Sequence, residues 1–183
     1  IIPNEIIIIL DGEARLISEE NNQPITVAKL GQGSIIGLDS ILRISGSGAI
    51  NSSKLVKGLS IPDHLILKLY KNEISFRNWC DKNIFPGEVL SLAKSLIKQS
   101  NRTDIRIINS FNILFKHSEI ISSKDGEMIK PLKDSSLLIS SGNISNLSIG
   151  QVLEKSYSLE INSPFNSRIL KIPTPIYNEF LKN

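Results

Sequence analysis

Cysteine is almost missing from this sequence: Cys80 is the only one in 183 residues. One thiol can make neither an internal disulfide nor a thiolate zinc cage, so the chain suits a reducing compartment. Cys80 lies beside Trp79 in an apolar helical context and reads as a buried structural thiol rather than a nucleophile. Histidine is nearly as scarce, with only His64 and His117. They are far apart in sequence, and no His/Asp/Glu cluster has ligand spacing. We therefore expect no metal, no cofactor and no catalysis. His64, just after a proline, reads as a surface residue. Long apolar runs are lacking too. None approaches the roughly 18–20 residues that cross a bilayer, so direct membrane insertion is not expected. The net charge of +3 comes from Lys and Arg scattered among acids, which describes a solvated mixed surface and not a nucleic-acid footprint.

What is present is a strand-rich opening. Residues 5–10 (EIIIIL) are β-branched and apolar, bounded by Pro3-Asn4 and by Asp11-Gly12, the pattern of a buried strand followed by a turn. Residues 13–18 alternate as a second strand, 19–24 (EENNQP) form a polar hairpin tip, and 25–30 return as a third. Residues 37–42 (GLDSIL) suit a single helical turn, 45–53 a flexible loop, and 55–61 a strand that Pro62 ends. Since the chain opens on Ile1-Ile2-Pro3 and runs straight into a strand, we expect it to be a piece of a longer polypeptide.

From Asp63 the period becomes helical. Asp63 is the expected N-cap of a helix carrying Leu65, Leu67, Leu69 and Tyr70. Phe76, Trp79 and Cys80 follow at helical spacing, so Phe76 and Trp79 are expected in the core with Leu92, Leu96 and Phe111. Pro86 starts another helix, and Thr103 or Asp104 is expected to cap a further one.

Past Ser122 the β pattern returns, and parts of the opening recur. Residues 141–144 match 11–14, residues 147–153 (LSIGQVL) match 30–36 with Gly150 on Gly33, and 167–173 (SRILKIP) match 56–62 with Pro173 on Pro62. The expected organisation is a β-roll with a helical connector over 1–122 and a truncated second roll-like unit over 123–183.

The order strand, Asp-Gly-Glu-Ala-Arg-Leu, hairpin, Leu-x-x-Gly-x-Ile-Ile-Gly, loop, strand, helices resembles the cyclic-nucleotide-binding domain. That resemblance implies a mixed α+β fold, a β-roll (double-stranded β-helix or jelly roll) plus helices, followed here by a degenerate second β-unit. It also implies that Gly33, Ser34, Gly37, Leu38, Asp39 and Ser40 occupy the phosphate-binding cassette. A cyclic phosphate is held there by backbone N–H groups and an arginine fork, and the ribose by a glutamate after the second glycine. This sequence has Leu38 in the glutamate's place and no Arg within 45–53, with Arg43 too early and Lys54 too late. We read the cassette as non-functional, and Asp39 as a helix-turn cap or surface residue.

Residues 72–79 (NEISFRNW), the helices, and 137–142 with 167–173 resemble the cytoplasmic N-terminal region of bacterial toxin- or peptide-secreting ABC transporters. That implies a non-catalytic regulatory or docking region at the cytoplasmic face of the membrane. Its partners would be other domains of the parent polypeptide, with a second copy as a further candidate. No Walker-A sequence occurs in the chain. The alternative is the effector-sensing module of a transcription regulator. It needs a DNA-reading helix pair after the roll, where Pro164, Pro173 and Pro175 instead interrupt helices.

Overall fold

The structure is a computed structural model, and it describes residues 1–100, 104–124, 126–141, 147–158 and 164–181. The fold class is the expected one, mixed α+β, with a β-roll, a helical connector and a second, smaller roll. The first roll contains β1 (Glu5–Asp11), β2 (Ala14–Glu20), β3 (Gln23–Leu30), β4 (Ile35–Ile36), α1 (Leu38–Arg43), β5 (Ala49–Asn51) and β6 (Lys57–Pro62). The connector contains α2 (Asp63–Asn72), α3 (Ile74–Lys82), α4 (Pro86–Ser100) and α5 (Ile107–His117). The second roll contains β7 (Glu119–Ser123), β8 (Met128–Ile129), β9 (Ser135–Ser141), β10 (Tyr157–Ser158) and β11 (Ser167–Pro173), and α6 (Thr174–Leu181) follows it. All sheets are antiparallel, in the orders β4-β1-β6, β3-β2-β5, β7-β11-β9 and β10-β8.

Several local expectations need correction. The polar hairpin tip is only two residues, because Asn21 and Asn22 both take positive φ (53° and 60°) and β2 and β3 run up to them. Asn tolerates the left-handed region that a tight two-residue hairpin turn demands. The stretch 45–53 is not all loop, since β5 pairs with β2 there. Asp63 is the first residue of α2 and not its cap, and its charge favours the positive end of the helix dipole. The helix with Thr103 or Asp104 as its expected cap starts at Ile107, with Arg106 at its N-cap; Thr103 lies outside the described residues. Its capping group comes from β2: a Glu20 carboxylate oxygen accepts the Ile107 backbone N–H at 3.2 Å, and the Arg106 guanidinium binds the other oxygen.

The two rolls share one pairing scheme. In the first, Gly33 N–H donates to Ile9 O (2.8 Å), Ile9 N–H to Ser34 O, and Ser34 N–H to Gly31 O. In the second, Gly150 N–H donates to Ile139 O (2.7 Å), Ile139 N–H to Gln151 O, and Gln151 N–H to Ser148 O. Both glycines have φ near +80° (82° and 84°), a turn geometry that costs a side-chain-bearing residue dearly. Glu5 faces Pro62 as Ser135 faces Pro173, and Ile9 faces Gly58 as Ile139 faces Ile169. Even the bulge recurs, Asp11 against Lys57 and Ser141 against Arg168. The offset is 130 positions from Ile9 to Ile139, 117 from Gly33 to Gly150 and 111 from Pro62 to Pro173. The match of 141–144 to 11–14 falls mostly outside the described residues.

One core runs through both rolls. Ile9, Leu16 and Leu30 of the first pack with Val89, Leu92 and Leu96 of α4, Phe111 and Leu114 of α5, and Leu138 and Leu170 of the second. A second cluster joins α1, α2 and α3 through Leu38, Leu42, Ile66, Tyr70, Cys80 and Phe85. Phe111, Leu92 and Leu96 are buried as expected, but Trp79 is 41% exposed and Phe76 only half-buried. The helix turns Cys80 fully inward, and a neighbour about 100° round the wheel is carried to the flank. There Trp79 stacks on Phe76 at 6.3 Å and meets the edge of Phe85 at 5.8 Å. The boundary drawn at 122/123 falls inside β7, which pairs with β11.

Candidate functional site

The cassette positions separate into two groups. Gly33 and Ser34 sit in the turn ahead of β4 and are committed to β1 by backbone hydrogen bonds. Leu38 points into the α1–α2–α3 core with no exposure at all. Only Gly37, Asp39 and Ser40 reach the cavity inside the first roll, a space of about 280 Å³ between β1, β4, α1 and the start of α4. Ile7, Leu16, Leu30, Ile36 and Phe85 supply apolar wall, while Glu5 and Asp39 are the ionisable residues that line it.

Gly37 is the N-cap of α1 at φ 86°, in the left-handed region. Asp39 is neither helix cap nor surface residue: it is 7% exposed, and its Oδ2 is buried without a hydrogen-bond partner. Burial pushes its carboxyl up from the ordinary value, against the opposing pull of Ser47 and Arg43. The reason it escapes solvent is the start of α4, which lies over α1 and brings Gly87 against the carboxylate.

Arg43 turns away from this cavity. Its Nε donates to Ser140 O of β9 at 3.1 Å, and its Nη atoms to Ser47 and Ser91 Oγ at 3.3 and 3.2 Å. Burial lowers its affinity for the proton, with Glu88 and Asp39 holding it the other way. The helix that would cradle a phosphate is thus tied to the second roll.

A second buried ion pair lies alongside. Arg168 of β11 and Glu88 of α4 are 1% and 0% exposed and meet as a two-pronged fork, Nε to Oε1 at 2.9 Å and Nη2 to Oε2 at 2.7 Å. Arg168 also donates to the carbonyls of Cys80 (2.7 Å) and Asn83 (2.6 Å), and its guanidinium lies 5.3 Å from the centre of the Phe85 ring. Glu88 takes a further hydrogen bond from Ser140 Oγ. Burial works against the charge on Arg168, and Glu88 outweighs it, leaving the guanidinium more firmly protonated than usual. Each guanidinium nitrogen and both carboxylate oxygens have a partner, the condition under which a buried pair is tolerated.

Neither Arg168 nor Glu88 stood out in the sequence as a functional position. The stretch 167–173 carries two basic residues, Arg168 and Lys171, and nothing local says which of them is buried or that the partner of Arg168 lies 80 positions upstream. Cys80 is fully buried, and burial with the nearby Asp81 pushes its thiol up to about 12. Among the described residues no group of three or more His, Cys, Asp or Glu could hold a metal ion. No helix among them is long and apolar enough to cross a membrane.

No protein-family profile matches the chain, and no curated protein matches it. Among solved structures it is similar to cAMP-bound PfPKA-R, at 13% identity and a TM-score of 0.37. It is similar to the regulatory domain of Toxoplasma gondii PKA in co-crystal with cAMP, at 9% and 0.34. A third is the regulatory subunit of a cAMP-independent protein kinase A from Trypanosoma cruzi bound to guanosine, at 10% and 0.33. The alignments cover 97–98% of this chain and 66–74% of those chains. Likeness at this level says nothing of what this chain binds. The glycine turn, the short helix after it and the closing strand that runs into a helix place the chain in the cyclic-nucleotide-binding-like fold class on its own geometry.

Proposed function

We propose that the chain is a non-catalytic regulatory and docking region of a larger membrane exporter, of the toxin- or peptide-secreting ABC type, working at the cytoplasmic face. Its first roll does not take up cyclic nucleotides in the usual mode. The observation that carries this reading is the lining of the roll cavity: two carboxylates, Glu5 and Asp39, and no arginine or lysine. A cyclic phosphate entering it finds no guanidinium or lysine side chain, and Arg43 is spent on holding the cassette to β9. Leu38 has no acceptor for a ribose hydroxyl. Each missing charge-assisted hydrogen bond removes roughly 1.5–3 kcal/mol, so two weaken a micromolar site by about 3–6 kcal/mol, towards millimolar or beyond. The assignment to an exporter follows the sequence resemblance. The fastened network of Arg43, Glu88 and Arg168 supports it, because it makes the two rolls a rigid platform.

Calorimetry with cyclic AMP and cyclic GMP tests the first part. We expect no saturable heat at micromolar nucleotide. Saturable micromolar binding that Gly37→Val abolishes would make the roll a working sensor and overturn the reading. That substitution places a side chain against Pro3 and the Glu5 carbonyl, where even a Cβ would lie 3.1 and 3.2 Å away. The reading frame of the parent tests the second part: spanning segments and a Walker-A sequence downstream are expected, and a helix-turn-helix in their place would refute it.

A further inference from the structure

Side chains alternate along β1. Ile6 and Ile8 pack into the α1–α2–α3 core, so Glu5 and Ile7 face the inside of the first roll and line its cavity. The Glu5 carboxylate is held on that face by a hydrogen bond from the hydroxyl of Ser60, the residue opposite Ile7 on β6. Asp39 reaches the same cavity from α1. The two carboxylates share one end of it, because the starts of β1 and α1 lie against each other: a Cβ on Gly37 would be 3.2 Å from the Glu5 carbonyl. The rest of the wall is mainly apolar, with Ile7, Leu16, Leu30, Ile36 and Phe85. A further space of about 360 Å³ shares Ile7, Ile36 and Ile50 with it as walls, and none of its described lining residues is charged.

Asp39 is 7% exposed, and its Oδ2 has no hydrogen-bond partner. That oxygen lies beside Gly87, which also lines the cavity; a Cβ there would be 2.3 Å from it, so only a glycine leaves this corner unfilled. Among the described residues, no arginine, lysine or histidine side chain lines the cavity to answer either carboxylate. We propose that the first-roll cavity binds a small primary amine, its ammonium head between Glu5 and Asp39 and its apolar body against the isoleucine and leucine wall. An ammonium brings three N–H donors and accepts nothing. Its charge-assisted hydrogen bonds to carboxylates are about twice as strong as neutral ones. A cation at this place also favours the ionised form of Asp39, which burial opposes. An alcohol offers a single donor for two carboxylates, and an anion finds no basic side chain. The inference rests on the reading that the roll does not hold a cyclic phosphate, and it names what the altered cavity takes instead.

The test titrates the whole chain with phenethylamine, phenethyl alcohol and phenylacetate, which share an apolar body and differ in the head, and follows backbone amide shifts by NMR. The amine should saturate at millimolar concentration or below and bind about tenfold or more tighter than the alcohol, with shifts centred on Ile7, Ile36 and Gly37. Phenylacetate should not saturate. Glu5→Gln and Asp39→Asn keep the shape of each side chain and remove its charge. Each should bring the amine down towards the affinity of the alcohol and leave the alcohol unchanged. Equal binding of amine and alcohol, shifts centred outside the cavity, or an amine indifferent to both substitutions would overturn the proposal. So would an amine that fails to saturate at millimolar concentration. Cyclic AMP added to the same protein keeps the two readings apart. If neither it nor the amine binds, only the amine site falls; if it binds saturably, the reading of the roll falls as well.

Discussion

Lys57 and Arg168 hold the same place in two copies of one strand, and their surroundings could hardly differ more. Lys57 ends an edge strand in solvent, while Arg168 lies fully buried against α3, α4 and β9. The lesson is that the pairing scheme of a roll is carried by short-range features, a glycine turn and a closing strand that ends at proline. What its side chains experience is decided by neighbours. In the second roll α4, α5 and β7 cover the closing strand; in the first, among the described residues, that strand pairs with β1 alone.

The sharpest way to break the comparison is to remove both charges in turn. Arg168→Ala strands the Glu88 carboxylate in the interior and frees two buried carbonyls, and should destabilise the chain by about 3–5 kcal/mol in urea denaturation. Lys57→Ala should change stability by no more than about 0.5 kcal/mol. Equal losses would mean that the first roll is covered in solution as the second is.

The matched leucines sharpen the same point. Leu170→Ala should cost about 2–5 kcal/mol, the range for a fully buried leucine. Leu59 holds the same place in β6 but is 50% exposed, so Leu59→Ala should cost less than about 1 kcal/mol. A larger loss at Leu59 would show it covered in solution.

The smallest expected effect concerns the cassette helix, which has no counterpart among the described residues of the second roll. Burial raises the Asp39 carboxyl above its ordinary 3.8, so the folded chain holds that proton more tightly than the unfolded chain does. The stabilising contribution is therefore present below 3.8 and is lost as pH rises through the raised value. Asp39→Asn, which cannot ionise, should remove this slope. Urea midpoints of both proteins between acid and neutral pH check it. Parallel curves would show that burial does not govern this carboxylate.

Much of the fold was legible. β-branched runs between turn residues marked β1, β2 and β3, and the paired glycines and prolines marked the repeat, whose hydrogen bonds recur atom for atom. The cassette was legible as to position and as to what it lacks, since Leu38 and the missing arginine are facts of composition. Its surroundings were not. Asp39 looked like a cap or surface group because nothing near it in sequence says that α4 will close over it. Trp79 looked buried because an apolar stripe at helical spacing does not tell which of two adjacent residues turns inward.

The sequence by itself determined β1, β2, β3 and β6, the turns with positive φ, the start of α4 at Pro86 and the two-copy plan, because each depends on residues within a few positions of one another. Only the tertiary structure decided where α5 begins, since Glu20 supplies its capping oxygen from 87 positions upstream. It alone decided that Arg43 and Arg168 would serve as buried ties instead of surface charges. A guanidinium enters the interior only where acceptors converge on it, and those acceptors, Ser140, Glu88, Cys80 and Asn83, come from β9, from α4 and from the end of α3. Such convergence is a property of three-dimensional packing, which no local stretch of the chain encodes.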